Sequence, residues 1–258
     1  MMDAMDCEYS IDGEGPPLIL IHGIGAARDT WRFALPVLKN HFTVVTYDLR
    51  GHGASPVPST TFGMDELVND LERVRERAGI EQAHFAGHSL GGMIGPAYAR
   101  QYPQRVLSLG LLSTAAFRTP DDSKKVLGVV EAMERDGIPD ILSTLTNRWF
   151  TDRFLDNHPD IVDRRLDQVI ATNPDVFLNV FRIYATFEMS SWLHEISHPS
   201  LVLTGENDGG CPPRLNKVIV QAMQNAELVV LPEYKHSLLL EAGEDVARQL
   251  VRFVKSLS

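Results

Sequence analysis

The sequence predicts an α/β protein: a mostly parallel sheet with helices on both faces and a helical insertion late in the chain. Three observations predict it. Short apolar runs alternate with longer segments of helical period, as in a sheet whose strands are joined by helices. One segment, 117–198, breaks that alternation and carries helical spacing only. A serine set among glycines, in "HFAGHSLGGMIG", falls between one apolar run and the helical segment after it. A chain of 258 residues can bury a core of this kind.

The strands are read from "LILI" (18–21), "FTVVTY" (42–47), "AHFA" (83–86), "VLSLGLL" (106–112), "SLVLTG" (200–205) and "AELVVL" (226–231). Near-continuous apolar runs of this length fit strands covered on both faces. Met64, Leu67, Val68, Leu71 and Val74 mark one face of a helix, and Val246, Leu250, Phe253 and Leu257 mark another near the C-terminus. Two segments, 1–116 and 199–258, therefore form the core, and 117–198 forms a helical cap. Within the cap the apolar spacing runs Val126, Val130, Met133, then Ile138, Ile141, Leu145, Trp149, then Val162, Leu166, Val169. A further helix is expected to start at Asn173-Pro174, because Asn caps well and Pro suits the first helical position. It carries Phe177, Phe181, Tyr184 and Phe187. A cap buries one side on the core and offers the other to a cavity, so Phe117, Trp149 and Tyr184 are the expected substrate-binding residues.

Composition excludes several classes. A formal charge of −10 argues against a nucleic-acid partner, which needs clustered Lys and Arg. No window approaches the run of about 18 apolar residues that spans a membrane. The stretch "MMDAMDCEYSIDGEG" is acidic, with no basic or apolar segment of a secretory signal, so a cytoplasmic location is expected. Two cysteines, Cys7 and Cys211, make no disulfide framework. There is no CxxC or HExxH pattern, and no metal or other cofactor is expected. Oligomeric state is left open, a homodimer included.

The glycine-set serine carries the chemistry. Gly87-His88-Ser89-Leu90-Gly91 fits G-x-S-x-G, the pattern of a nucleophile on a sharp strand-to-helix turn. Neither glycine-rich phosphate pattern is present, and no Lys follows. A serine hydroxyl needs a base to take its proton, and the base needs an orienting acid. His88 is adjacent but is directed away if Ser89 tops the turn. His236 lies between the last strand and the last helix, and Asp208 follows "SLVLTG" directly, with Glu206 a competing acid. Both lie after strand C-termini, where open α/β sheets keep their sites. The expected triad is thus Ser89, Asp208 and His236. The oxyanion donors expected are the backbone N–H of Leu90, after the nucleophile, and of Ile24, in the loop "HGIG". His22 is read as bracing that loop.

These residues resemble the α/β-hydrolase family nearly end to end. "LILIHGIG" resembles its oxyanion loop, "VVTYDLRGHGAS" its second loop, "GHSLGG" its elbow, "TGENDGGCPP" its acid loop and "PEYKHSLLLEAGEDVARQLVRFV" its histidine loop and final helix. Within the family, "TYDLRGHGASPVP", "HFAGHSLGGMIG" and "NRWFTDRFLDNHPDIV" resemble 3-oxoadipate enol-lactonases and neighbouring esterases. The resemblance implies an α/β-hydrolase fold with a helical cap and a cofactor-free serine hydrolase of a small-molecule ester or lactone. His22-Gly23, His88, Leu90 and Lys235 depart from that subgroup's pattern and leave the substrate open. Hydrolysis of a C–C bond in a ring-fission diketone is an alternative, with Arg118, Arg148, Arg153 or Arg182 to handle the enol. An acyl-homoserine lactonase is another, and a receptor without turnover a third.

Overall fold

A computed structural model describes residues 4–257. Seven strands form one sheet: β1 (Tyr9–Asp12), β2 (Pro17–Ile21), β3 (Thr43–Tyr47), β4 (Ala83–His88), β5 (Val106–Leu112), β6 (Ser200–Gly205) and β7 (Ala226–Leu231). Their order is β1-β3-β2-β4-β5-β6-β7, antiparallel only between β1 and β3. The helices are α1 (Leu35–Leu38), α2 (Met64–Arg77), α3 (Gly91–Gln101), α4 (Pro120–Asp136), α5 (Ile138–Trp149) and α6 (Asp152–Asn157). They continue with α7 (Pro159–Ala171), α8 (Pro174–Thr186), α9 (Pro213–Ala222), α10 (Leu238–Glu241) and α11 (Gly243–Lys255).

Period-2 alternation splits the core into two layers. Leu18, Leu20 and Val44 pack with α1 and α11 through Leu38, Val246, Leu250 and Phe253. Ile19, Ile21, Val45 and Phe85 pack on the other face with Leu67, Leu71, Met93, Tyr98 and Ile219. Leu18 to Ile21 are all at most 1% exposed, so each side chain contributes about 1.5–3 kcal/mol of burial and β2 anchors the middle of the sheet. The six runs read as strands are all strands: β5, β6 and β7 keep the expected ends, and β2, β3 and β4 each have one end moved by one or two residues. β1 was not anticipated: it is a short edge strand of sequence YSID with no apolar run. Leu257 lies beyond the end of α11 and is exposed, so the last helical face stops at Phe253 and Val254.

From β2 the chain crosses to β3 on one side, then returns past β2 to β4 and builds outwards on the other. The two directions part between β2 and β4, and open α/β sheets hold their ligands in the crevice beyond strand C-termini at such a switch. Between β5 and β6 the chain is helical, from α4 to α8. Asn173 caps α8, its Oδ1 accepting from the N–H groups of Asp175 and Val176.

Candidate active site

Ser89 is the first residue after β4 and has φ 56°, in the left-handed region. A non-glycine residue held there costs of order 1–3 kcal/mol, which neighbouring contacts must offset. Hydrogen bonds to the Ser89 backbone and close glycine packing account for it. The Ser89 N–H donates to Leu112 O at 2.9 Å, and Thr114 Oγ1 donates to Ser89 O at 2.9 Å. A Cβ on Gly87 would lie 2.0 Å from Gly91 O, and one on Gly91 2.3 Å from Ile21 O. The elbow therefore closes only with glycine two residues either side of the serine. Gly92 also has no room for a Cβ, which would lie 2.7 Å from Thr114 Cβ, so the glycine cluster serves close packing.

Ser89 and His236 line one cavity of about 280 Å³. His236 Nδ1 lies 2.9 Å from Asp208 Oδ2, so in the neutral imidazole Nδ1 carries the proton and donates, and Nε2 is the nitrogen that accepts. Asp208 is buried, and its Oδ1 accepts from the N–H groups of Gly210 at 2.9 Å and Cys211 at 2.8 Å. Burial alone would depress His236, but the Asp208 carboxylate, with a smaller contribution from Cys211, outweighs it and holds the imidazole well above its ordinary range. Burial would likewise raise Asp208; the His236 charge and hydrogen bond, with the two loop amides, hold it lower. The competing acid, Glu206, is exposed and accepts from Glu233 N–H instead.

Three other histidines are structural. His88 Nε2 donates to His236 O at 2.9 Å, and burial pushes its pKa down to about 3. It braces the histidine loop and lines the cavity. His22 donates from Nδ1 to Gly23 O at 2.8 Å and accepts Leu49 N–H on Nε2 at 2.9 Å. His52 donates to Arg50 O and accepts Gly25 N–H at 3.1 Å. Burial lowers His22 to about 4 and His52 to about 3, so both stay neutral while they tie the loop after β2 to the loop after β3.

Ile24 lines the cavity, and Leu90 is fully buried. Among the described residues the amides of Ile24 and Leu90 donate to no protein acceptor. Trp149 and Tyr184 also line the cavity. Phe117 does not: with φ 60° and its N–H on Glu188 Oε1, it is turned onto the sheet core, and Arg118 takes the cavity wall. The Arg118 guanidinium lies over the Tyr184 ring, 4.3 Å from its centre, and Tyr184 Oη is 3.1 Å from Cys211 Sγ. Cys7 and Cys211 are both free and buried. Asp208, Cys211 and His236 have ligand-type atoms within 4.8 Å of one another, but the Asp208 oxygens are already taken by three N–H donors.

The site also holds residues that sequence reading passed over. Arg165, Lys125 and Arg214 line the cavity beside Arg118 and Arg148. Of the other arginines considered, Arg182 is exposed and paired with Glu134, and Arg153 is exposed. A signal for Arg165 existed, because it falls on the apolar stripe of Val162, Leu166 and Val169. Lys235, odd beside the histidine, reaches from its loop to Asn147 O and Asp152 Oδ1, each at 3.0 Å. Ser237 N–H donates to Trp149 O at 2.8 Å, a second tie between the histidine loop and the insertion.

Residues 16–243 match the alpha/beta hydrolase fold, and the chain belongs to that family; hydrolysis is the class of chemistry this membership supports. It is similar to 3-oxoadipate enol-lactonase 1 of Acinetobacter baylyi, 26% identical over 242 residues that cover 94% of this chain and 90% of that one. It is also 29% identical over 255 residues to the dihydrolipoyllysine-residue acetyltransferase component of the acetoin cleaving system of Pseudomonas putida, covering 96% of this chain but only 66% of that longer protein. Among solved structures, a hydrolase from Pseudomonas aeruginosa PA01 superposes with a TM-score of 0.86 at 28% identity, over 98% of this chain and 96% of that one.

Proposed function

We propose that the protein is a cofactor-free serine hydrolase of carboxylic esters or lactones, with Ser89 as nucleophile, His236 as general base and Asp208 as its orienting acid. The observation that carries this reading is the left-handed Ser89 at the tip of β4, sharing a cavity with an imidazole whose Nδ1–H is fixed on a buried carboxylate. Ser89 Oγ attacks the carbonyl carbon while His236 Nε2 takes its proton. The oxyanion is held by the Ile24 and Leu90 amides, each worth roughly 3 kcal/mol of barrier. Collapse expels the alkoxide, which takes the proton from His236. Water, deprotonated by the same imidazole, then attacks the acyl-enzyme and frees the acid and Ser89. In a lactone the leaving alcohol stays tethered to the product.

The helices α4 to α8 act as the cap over this site. The cavity wall carries Arg118, Lys125, Arg148, Arg165 and Arg214 against one carboxylate, Asp122, itself paired with Arg214. That balance supports a substrate with an anionic group beyond the scissile bond, and the similarity to a 3-oxoadipate enol-lactonase accords with it.

Ser89→Ala and His236→Ala should each cut turnover of a short p-nitrophenyl ester by about 10⁴-fold or more with the fold retained by circular dichroism. A fluorophosphonate should add to Ser89 alone, read by peptide mass. Wild-type rates in Ser89→Ala would end this assignment.

A further inference from the structure

The loop after β2, which carries Ile24, is held from two sides. From the sheet side, His22 and His52 fix Gly23 O, Leu49 N and Gly25 N. From the insertion side, one face of α7 reaches down onto it. Arg165 Nη1 donates to Gly25 O at 2.5 Å and Nη2 to Ile24 O at 2.9 Å. Nη2 of the adjacent Arg164 and Nε2 of Gln168, about a turn on, each donate to the Asp29 carboxylate at 2.6 Å. Gly25 has φ +58°, and a Cβ there would lie 2.6 Å from Phe177 Cε2 and 3.2 Å from Val169 Cγ2. The insertion thus seats directly on the backbone of this loop.

Arg165 is an unusual group to spend on two carbonyls. Its guanidinium makes no ion pair among the described residues, and burial brings its pKa down to about 10. It stacks over Trp149, 5.2 Å from the ring centre, and faces the cavity. A rigid two-pronged donor can hold two successive carbonyls in one relative orientation, which a single-point ammonium cannot. The Ile24 N–H shares its peptide plane with Gly23 O, which His22 holds, and Arg165 fixes the next two planes through Ile24 O and Gly25 O, so the backbone is clamped on both sides of the Ile24 Cα.

We propose that Arg165 is a positioning residue for the oxyanion hole: the guanidinium of α7 grips Ile24 O and Gly25 O, aims the Ile24 amide at the developing oxyanion, and makes turnover depend on a seated insertion. This rests on the reading of Ile24 as an oxyanion donor in a serine hydrolase. An amide displaced by about 1 Å loses on the order of 10²-fold in rate while ground-state binding is little changed.

The test uses a neutral short ester, so that loss of a cavity charge does not itself alter substrate binding. Arg165→Met should lower kcat by about 10²-fold with KM held within about twofold. Arg165→Lys, which keeps the charge and much of the packing, should fall between it and the wild type. In Arg165→Ala, millimolar methylguanidinium should restore part of kcat, and methylammonium should not. The inference is overturned if both Arg165→Met and Arg165→Lys keep wild-type kcat, or if the loss appears in KM alone, which would make Arg165 a substrate contact. Should Arg165→Ala or →Met fail to fold, the lysine variant decides by the same split. Ser89→Ala runs in parallel. If it is inactive while the Arg165 variants keep kcat, this inference alone fails; if it retains turnover, the hydrolase reading falls and takes this one with it.

Discussion

His236 sits under two opposed influences, burial that disfavours its charge and a carboxylate 2.9 Å away that favours it. The carboxylate wins, and the consequence is a sign for the pH profile. Only the unprotonated imidazole can accept the Ser89 proton, so raising its pKa moves the onset of activity to higher pH. kcat/KM for a neutral ester should therefore climb through an ionisation above the ordinary histidine value of about 6.5 and be lost on acidification through it. Asp208→Asn removes the favouring charge and leaves the burial. Its limb should move to lower pH while its plateau falls by up to about 10⁴-fold. A rate–pH series on both proteins checks this, and an unmoved limb in Asp208→Asn would show that another group titrates.

At the scale of elements, the insertion and the loop after β2 fit by steric contact as much as by hydrogen bonds. Gly25→Ala should both strain the backbone, by about 1–2 kcal/mol, and drive a methyl into Phe177. Phe177→Ala alone should cost about 3–5 kcal/mol through its cavity. Because the second change removes what the first collides with, the double variant should lose less than the sum by at least about 1 kcal/mol, measured by chemical denaturation. Strict additivity would mean that α8 moves aside freely. Elements of this kind were readable from sequence to different depths. Five strands announced themselves through apolar runs buried on both faces and β7, a half-exposed edge strand, through the run AELVVL; motif and chain order singled out Ser89, Asp208 and His236 as candidates. β1 did not, since an edge strand of mixed polarity carries no apolar run. The insertion's helical spacing was legible but not the direction of its side chains. Phe117 turns to the sheet because a left-handed φ and the Glu188 carboxylate redirect the chain there, a tertiary effect that no local pattern encodes. Arg165 was hidden for a related reason: its partners are backbone carbonyls 140 and 141 residues away.

The whole molecule carries a formal charge of −10, yet the cavity wall is cationic. These two fields act at different ranges. An anionic substrate is repelled by the protein at distance, and salt screens that repulsion over a Debye length of about 8–10 Å. Inside the cavity the low-dielectric walls focus the field of Arg118, Arg148 and Arg165, and the bound anion gains from charges that salt screens less. An ester with a terminal carboxylate should therefore show a lower KM than its methyl-ester or amide isostere in spite of the protein's net charge. Arg118 should dominate that preference, because its Nη2 is buried without a hydrogen-bond partner in the cavity wall. Arg118→Met should raise KM for the carboxylate ester by about 10-fold, the value of one charged hydrogen bond, and leave the neutral isostere within about twofold. Steady-state kinetics on the matched pair, repeated at low and high ionic strength, decides the matter. Equal KM values for the two esters in the wild type would show that the cavity's cations serve the fold of the insertion and not the substrate.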